Sequence, residues 1–116
     1  MSIERRQIGP RMSQLVIHNG VAYLAGQVAD DPAAPLAEQA RQLLAAVDRL
    51  LAEAGTDKSR LLSVTVYLAN MGDYAAFNAV YDPWLDPANP PVRACVEARL
   101  AAPGYRCEVM AIAALP

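Results

Sequence analysis

Arg93 and Glu108 are the two side chains in this sequence whose types and placement most suggest chemistry. Arg93 sits in Pro90-Pro91-Val92-Arg93-Ala94-Cys95-Val96, and Glu108 in Arg106-Cys107-Glu108-Val109-Met110-Ala111-Ile112. A guanidinium grips a planar carboxylate through two parallel hydrogen bonds. A glutamate nearby can steer a water or carry a proton. Both runs read as strands flanking the Pro103-Gly104 turn, and pairing them would place an anion grip beside a proton carrier. That arrangement suits a small anionic metabolite. Read one at a time the residues are ordinary, because Arg93 would more often form an interior salt bridge with Glu97 or Glu108.

The remaining reactive residue types carry less. Cys95 and Cys107 form no Cys-x-x-Cys pair, and the one histidine, His18, gives a metal site no company. No metal or organic cofactor is therefore expected. Cys107 should face away from its neighbour Glu108 on a strand, into the core. Buried cysteines are usually inert packing residues, so Cys95 is expected to act through its backbone and not its sulfur. His18 precedes a turn and should be exposed. Tyr81 and Trp84 are read as packing residues.

The elements that must position these groups follow from periodicity. Leu15 to His18, Asn19-Gly20 and Val21 to Ala25 read as a β-hairpin, since Asn-Gly suits a turn that needs positive φ at both central residues. Gly26-Gln27 ends the second strand, and a loop follows from Asp30 to Pro35. Apolar residues at Leu36, Ala40, Leu43, Leu44, Val47, Leu50 and Leu51 mark one face of a helix over Leu36 to Ala54, stopped at Gly55. Leu61 to Ala69 is β-branched enough for a buried strand. Asp73 is placed to cap a second helix from Tyr74 to about Tyr81, which Pro83 ends or kinks. Strands at Val92–Arg99 and Tyr105–Ala113 complete the order ββαβαββ. Two helices on one face of a mixed sheet is the economical packing for that order. The other face then needs a cover, and a partner subunit is the simplest one.

Bulk properties limit the function classes. A chain of 116 residues predicts one domain spanning 1–116. Net charge is −2, and the only basic concentration is Arg5, Arg6 and Arg11, expected to be a solvated arm, so no nucleic-acid footprint is expected. No apolar run approaches the ~20 residues of a spanning helix, and Met1-Ser2-Ile3-Glu4 lacks the apolar core of a signal peptide. A cytoplasmic setting with reduced thiols, without membrane partners, is the expectation.

Pro-x-Arg-x-Cys-Val at Pro91–Val96 and Glu-Val-x-Ala-Ile-Ala at Glu108–Ala113 resemble the signature of the RidA (YjgF) family. Ile8-Gly9-Pro10, Gly26-Gln27, Gln39-Ala40-Arg41-Gln42 and Thr65-Val66-Tyr67-Leu68 before Asp73-Tyr74 support the resemblance, which spans nearly the whole chain. The layout around Tyr81 to Trp84 and the Pro91-Val92-Arg93 junction is closer to a YoaB-like branch. The resemblance implies an α+β, chorismate-mutase-like fold, a homotrimer, and hydrolysis of reactive 2-imino and 2-enamino acids to 2-keto acids and ammonia. It implies that Arg93 binds the substrate carboxylate, that the backbones of Cys95 and Gly26 hold the substrate, and that Glu108 activates water. The sites would lie between subunits. Where such proteins read Gly-Pro-Tyr near the N-terminus, this chain has Arg11, and Ala25 stands where many have Ser. Arg11 leaves open a second carboxylate contact, a shifted substrate choice or weak activity. A second function class stays open beside the hydrolase: a non-catalytic trimeric module that binds small carboxylates or 2-keto acids. Ribonuclease action is disfavoured by the acidic chain and the absence of a histidine pair.

Overall fold

The computed structural model describes residues 2–116, which form a six-stranded sheet with two helices on one face. The strands are β1 (Glu4–Ile8), β2 (Ser13–His18), β3 (Val21–Leu24), β4 (Leu61–Leu68), β5 (Val92–Glu97) and β6 (Cys107–Ala114). The helices are α1 (Leu36–Ala54) and α2 (Tyr74–Trp84). The Asn19-Gly20 turn forms as expected, with φ of 53° and 73°. Helix α1 buries Leu36, Ala40, Leu43, Leu44, Val47, Leu50 and Leu51, the face that the three-four spacing marked, and adds Gln39 to it. Helix α2 carries Pro83 in its last turn and continues to Trp84, three residues beyond Tyr81.

Several expectations change. The Arg5-Arg6 segment is not a solvated arm. It forms β1, whose Arg5 and Arg6 pair with Val16 and Leu15 at the sheet edge, so ββαβαββ is preceded by one further strand. Arg11 lies in the turn that follows, where the Gly9 N–H donates to Met12 O at 2.8 Å. Asp73 stands at the start of α2 without capping it, because its carboxylate accepts from Arg106 at 2.9 and 3.0 Å. His18 is half-buried, with Nδ1 3.1 Å from Ser2 O.

The largest change is in the pairing. Sheet order is β1-β2-β3-β6-β4-β5, so β5 and β6 are not partners; β4 lies between them. Helix α2 carries the chain from β4 back to a parallel neighbour, β5, at the sheet edge. Strand β6 then enters antiparallel to both β3 and β4. It is suited to that central slot because Cys107, Val109, Ala111 and Ala113 are all buried beneath the helices, and alanines let α1 approach closely.

Only one side of the sheet is covered by the described residues. The molecule measures 43 × 37 × 20 Å, and its short axis fits one sheet and one layer of helices. The bare face exposes Tyr23, Val92, Val96 and Met110 at 38–73% of their surface. Among the described residues, no helix is long and apolar enough to cross a membrane.

Loops are held by a single buried amide. Gln39 has no exposed surface. Its Nε2 donates to the carbonyls of Ala34 and Gly104 at 2.9 and 3.0 Å, and its Oε1 accepts from the Arg106 N–H at 2.9 Å. Replacing Gln39 with Ala strands these groups and should destabilise the fold by at least about 2 kcal/mol. Denaturant titration, with faster amide exchange at Arg106 than at α1 core amides, is the measurement.

Candidate functional site

Strand periodicity divides the candidate residues between the two faces. Arg93 and Cys95 pair in register with Val64 and Val66, whose side chains are buried under the helices. Glu108 pairs with Tyr67 between the buried neighbours Cys107 and Val109, so it points to the bare face. Within one chain, Arg93 and Glu108 therefore stand on opposite faces and two strands apart. The paired-strand site expected from the sequence does not form in a single chain, because β4 separates the strands and their alternation is set by the core.

The Arg93 end is built on β5 and α2. Nη1 donates to Asn78 Oδ1 at 2.8 Å, and Nη2 lies 3.4 Å from the Tyr74 hydroxyl. The guanidinium carbon sits 4.9 Å from the centre of the Tyr81 ring, a cation–π distance. All of these partners are neutral. The alternative reading of Arg93, a bridge to Glu97 or Glu108, does not occur among the described residues: Glu97 accepts instead from the Met71 N–H at 2.8 Å. A guanidinium has five N–H donors, and those not used here remain for a planar anion.

Cys95 lies beside it and packs its side chain against the core. Burial pushes its thiol up, more than the nearby Arg93 charge lowers it, so it is a poor nucleophile. Cys107 is fully buried and pushed up to about 12. The backbone of Cys95 is better placed for binding. Ala98 N–H donates to Leu68 O on β4, and in a parallel strand alternate residues face the same neighbour. Counting back by two from Ala98, Val96 and Ala94 face β4, so Cys95 between them directs its N–H and C=O to the open edge of the sheet.

The Glu108 end is a hollow of about 280 Å³ lined by Gly26, Tyr67, Arg99, Leu100, Glu108 and Met110. Gly26 lets the carboxylate approach: a Cβ built there would collide with Glu108 Oε2 and push that side chain aside. Its neighbours Ala25 and Gln27 bond to Gln14 and Val109 on the flanking strands, which holds the Gly26 backbone beside the carboxylate. Burial raises the Glu108 pKa above its ordinary value. Such a carboxyl is suited to accept a proton near neutrality. Arg11 is exposed and does not line this hollow. No cluster of metal-ligating side chains occurs among the described residues.

The structure thus groups Arg93 with Cys95, and Gly26 with Glu108, and leaves Arg11 apart from both pairs. Sequence reasoning missed Asn78, Tyr74 and Arg99. The first two were visible only as α2 residues four apart, and Arg99 was read as the last residue of a strand.

Because Glu108 holds its proton more tightly folded than unfolded, the stability linked to it is complete below the ordinary glutamate range. It is lost as pH rises through the raised value. Glu108→Gln should therefore raise Tm at pH 8, and the gain should vanish toward pH 4. Thermal melts across that range test this, and a gain independent of pH would contradict it.

Comparisons with known proteins agree with this architecture. A protein-family profile described as Endoribonuclease L-PSP matches residues 6–115. A RutC family protein from Haemophilus ducreyi is 46% identical over 113 residues, 97% of each chain. The RutC family protein YoaB of Escherichia coli is 37% identical over 115 residues, covering 99% of this chain and all of that one. The crystal structure of a YjgF-family member from Neisseria meningitidis superposes with a TM-score of 0.97 at 43% identity, covering 100% and 97% of the two chains. The crystal structure of an uncharacterized protein from Pseudomonas aeruginosa gives 0.95 at 40%, covering 99% and 100%. Two helices on a mixed six-stranded sheet are the chorismate-mutase-like arrangement these neighbours share. With a profile match over nearly its full length and relatives this similar, the chain belongs to the YjgF (RidA) family.

Proposed function

We propose that this protein hydrolyses 2-imino and 2-enamino acids to 2-keto acids and ammonia, acting as one domain in a homotrimer whose sites lie between subunits. The observation that carries the reading is Arg93. Its guanidinium is oriented by Asn78, Tyr74 and Tyr81, yet pairs with no carboxylate among the described residues. An oriented, unneutralised guanidinium is a receptor for a planar anion.

The separation of Arg93 from Glu108 supports a shared site. Two chains in closed symmetry can bring the β5 edge of one against the bare face of the next, and the apolar side chains on that face favour being covered. Arg93 and the outward backbone of Cys95 would then come from one subunit, and Gly26 and Glu108 from its neighbour.

The chemistry asks little more of the protein. A protonated imine is already electrophilic, so positioning and proton transfer suffice. Glu108 takes a proton from water as its oxygen bonds to the imine carbon. It then returns that proton to nitrogen; the C–N bond breaks, ammonia leaves, and the hydroxyl gives up its proton to solvent as the C=O of the keto acid forms. Neither step uses a cysteine, in keeping with the raised thiol of Cys95. Relatives labelled as endoribonucleases invite a nuclease reading, but the net charge of −2 and single histidine give it little support.

Arg93→Ala should lower kcat/KM for 2-iminopropionate about a hundredfold or more, as expected when a buried partner of a ligand charge is removed. An amino-acid oxidase can supply the imine and semicarbazide can trap what remains; near wild-type turnover would contradict the assignment. If instead the protein binds pyruvate but never accelerates hydrolysis, it is a carboxylate-binding module.

The shared site makes a separate prediction. Arg93→Ala and Glu108→Ala chains, each inactive alone, should regain about a quarter of wild-type activity when unfolded and refolded together, since random trimers then contain intact interfaces. No recovery, with mixed trimers verified by mass, would place the whole site in one chain.

A further inference from the structure

The Glu108 hollow contains a cation that the reaction just described does not use. Arg99 follows β5 and lines this hollow, and it also lines a larger one of about 670 Å³ that residues 98–101 border as well. Its side chain is exposed. The ion pairs among the described residues join Arg6 to Glu4, Arg41 to Glu38 and Arg106 to Asp73, and Arg99 is in none of them. The nearest acid along its own strand, Glu97, is turned away to the Met71 N–H. Glu108 lines the same hollow, and no ion pair joins it to Arg99 among the described residues.

In the shared site proposed above, an α-carboxylate held on Arg93 of one subunit and a reacting carbon beside Glu108 of its neighbour would leave the substrate side chain in the hollow that Arg99 lines. An apolar side chain there would leave a guanidinium unpaired beside it. A side-chain carboxylate would meet a planar donor fork and would be shielded from the negative charge of Glu108.

We propose that Arg99 is a specificity-determining residue that selects 2-imino acids carrying a second, side-chain carboxylate, the imines derived from acidic amino acids. This rests on the imine-hydrolase reading and narrows its substrate class. The reaction is unchanged: water adds to the imine carbon, the C–N bond breaks, and a 2-oxo dicarboxylate and ammonia result. Arg11 was the sequence's candidate for a second carboxylate contact, but it lies outside the hollow that Arg99 lines.

Two measurements on the full-length protein test the assignment. In the turnover arm, the ratio of kcat/KM for 2-iminoglutarate to that for 2-iminopropionate is compared in wild type, Arg99→Ala, Arg99→Lys and Arg11→Ala. The ratio should exceed one in wild type. It should fall about tenfold to a hundredfold in Arg99→Ala, the range for a lost charged hydrogen bond. It should recover in part in Arg99→Lys and stay near wild type in Arg11→Ala. In the binding arm, calorimetry compares 2-oxoglutarate with pyruvate in the same variants and needs no turnover. An Arg99-dependent preference for 2-oxoglutarate in a protein that hydrolyses no imine would uphold the subsite and remove the hydrolase reading. Hydrolysis of 2-iminopropionate with an unaltered ratio in Arg99→Ala would do the reverse. Absence of any dicarboxylate preference in both arms overturns the proposal.

Discussion

The carboxamide of Gln39 holds together parts of the molecule that secondary structure alone does not connect. It is fully buried in the first turns of α1, and it bonds the loop ahead of that helix and both sides of the segment entering β6. Residues 98–106 carry no strand or helix of their own, so their backbone groups need partners from elsewhere. Gln39 supplies them at Gly104 and Arg106, and Arg106 in turn reaches Asp73 at the start of α2. One wall of the Glu108 hollow is made from this same segment. A buried amide with every polar atom satisfied rigidifies its surroundings, and here the surroundings include the site.

The second governing feature is the alternation of β4, β5 and β6. Each strand has committed one face to the helices, and the chemistry uses what is left over. On β5 the helix-facing side is only half-buried, because α2 meets it at a sheet edge, and this is where Arg93 finds polar partners and an aromatic ring. On β6 the helix-facing side is fully buried, so Glu108 must take the other face. The proposed division of the site between two subunits is a consequence of that packing. In that proposal Arg93 and Glu108, which lie on opposite sides of one sheet, are brought together by a second copy of the chain.

Much of this was legible in the sequence where the signal was local. The face of α1 and the Asn19-Gly20 turn depend on residues near one another in the chain, and both were placed as they occur. Strand β1 was missed because Glu4-Arg5-Arg6-Gln7 is polar throughout, and an edge strand open to solvent needs no apolar alternation. The cap expected of Asp73 failed for a different reason: a residue far along the chain, Arg106, competes for its carboxylate. Local propensity cannot register such competition.

Residue identity in this sequence determined which chemistry is available: Arg93 and Glu108 in strand-like runs, two cysteines outside any metal-binding motif, and the family those residues mark. The tertiary structure decided how that chemistry is arranged. It inserted β6 between β3 and β4, turned Arg93 and Glu108 to opposite faces, freed Arg93 from the ion pair that proximity in sequence suggested, and set Arg99 beside Glu108. The physical reason is that strand order and side-chain facing are set by which residues bury together. Burial is a sum over contacts between distant segments, and no single stretch of the chain contains it.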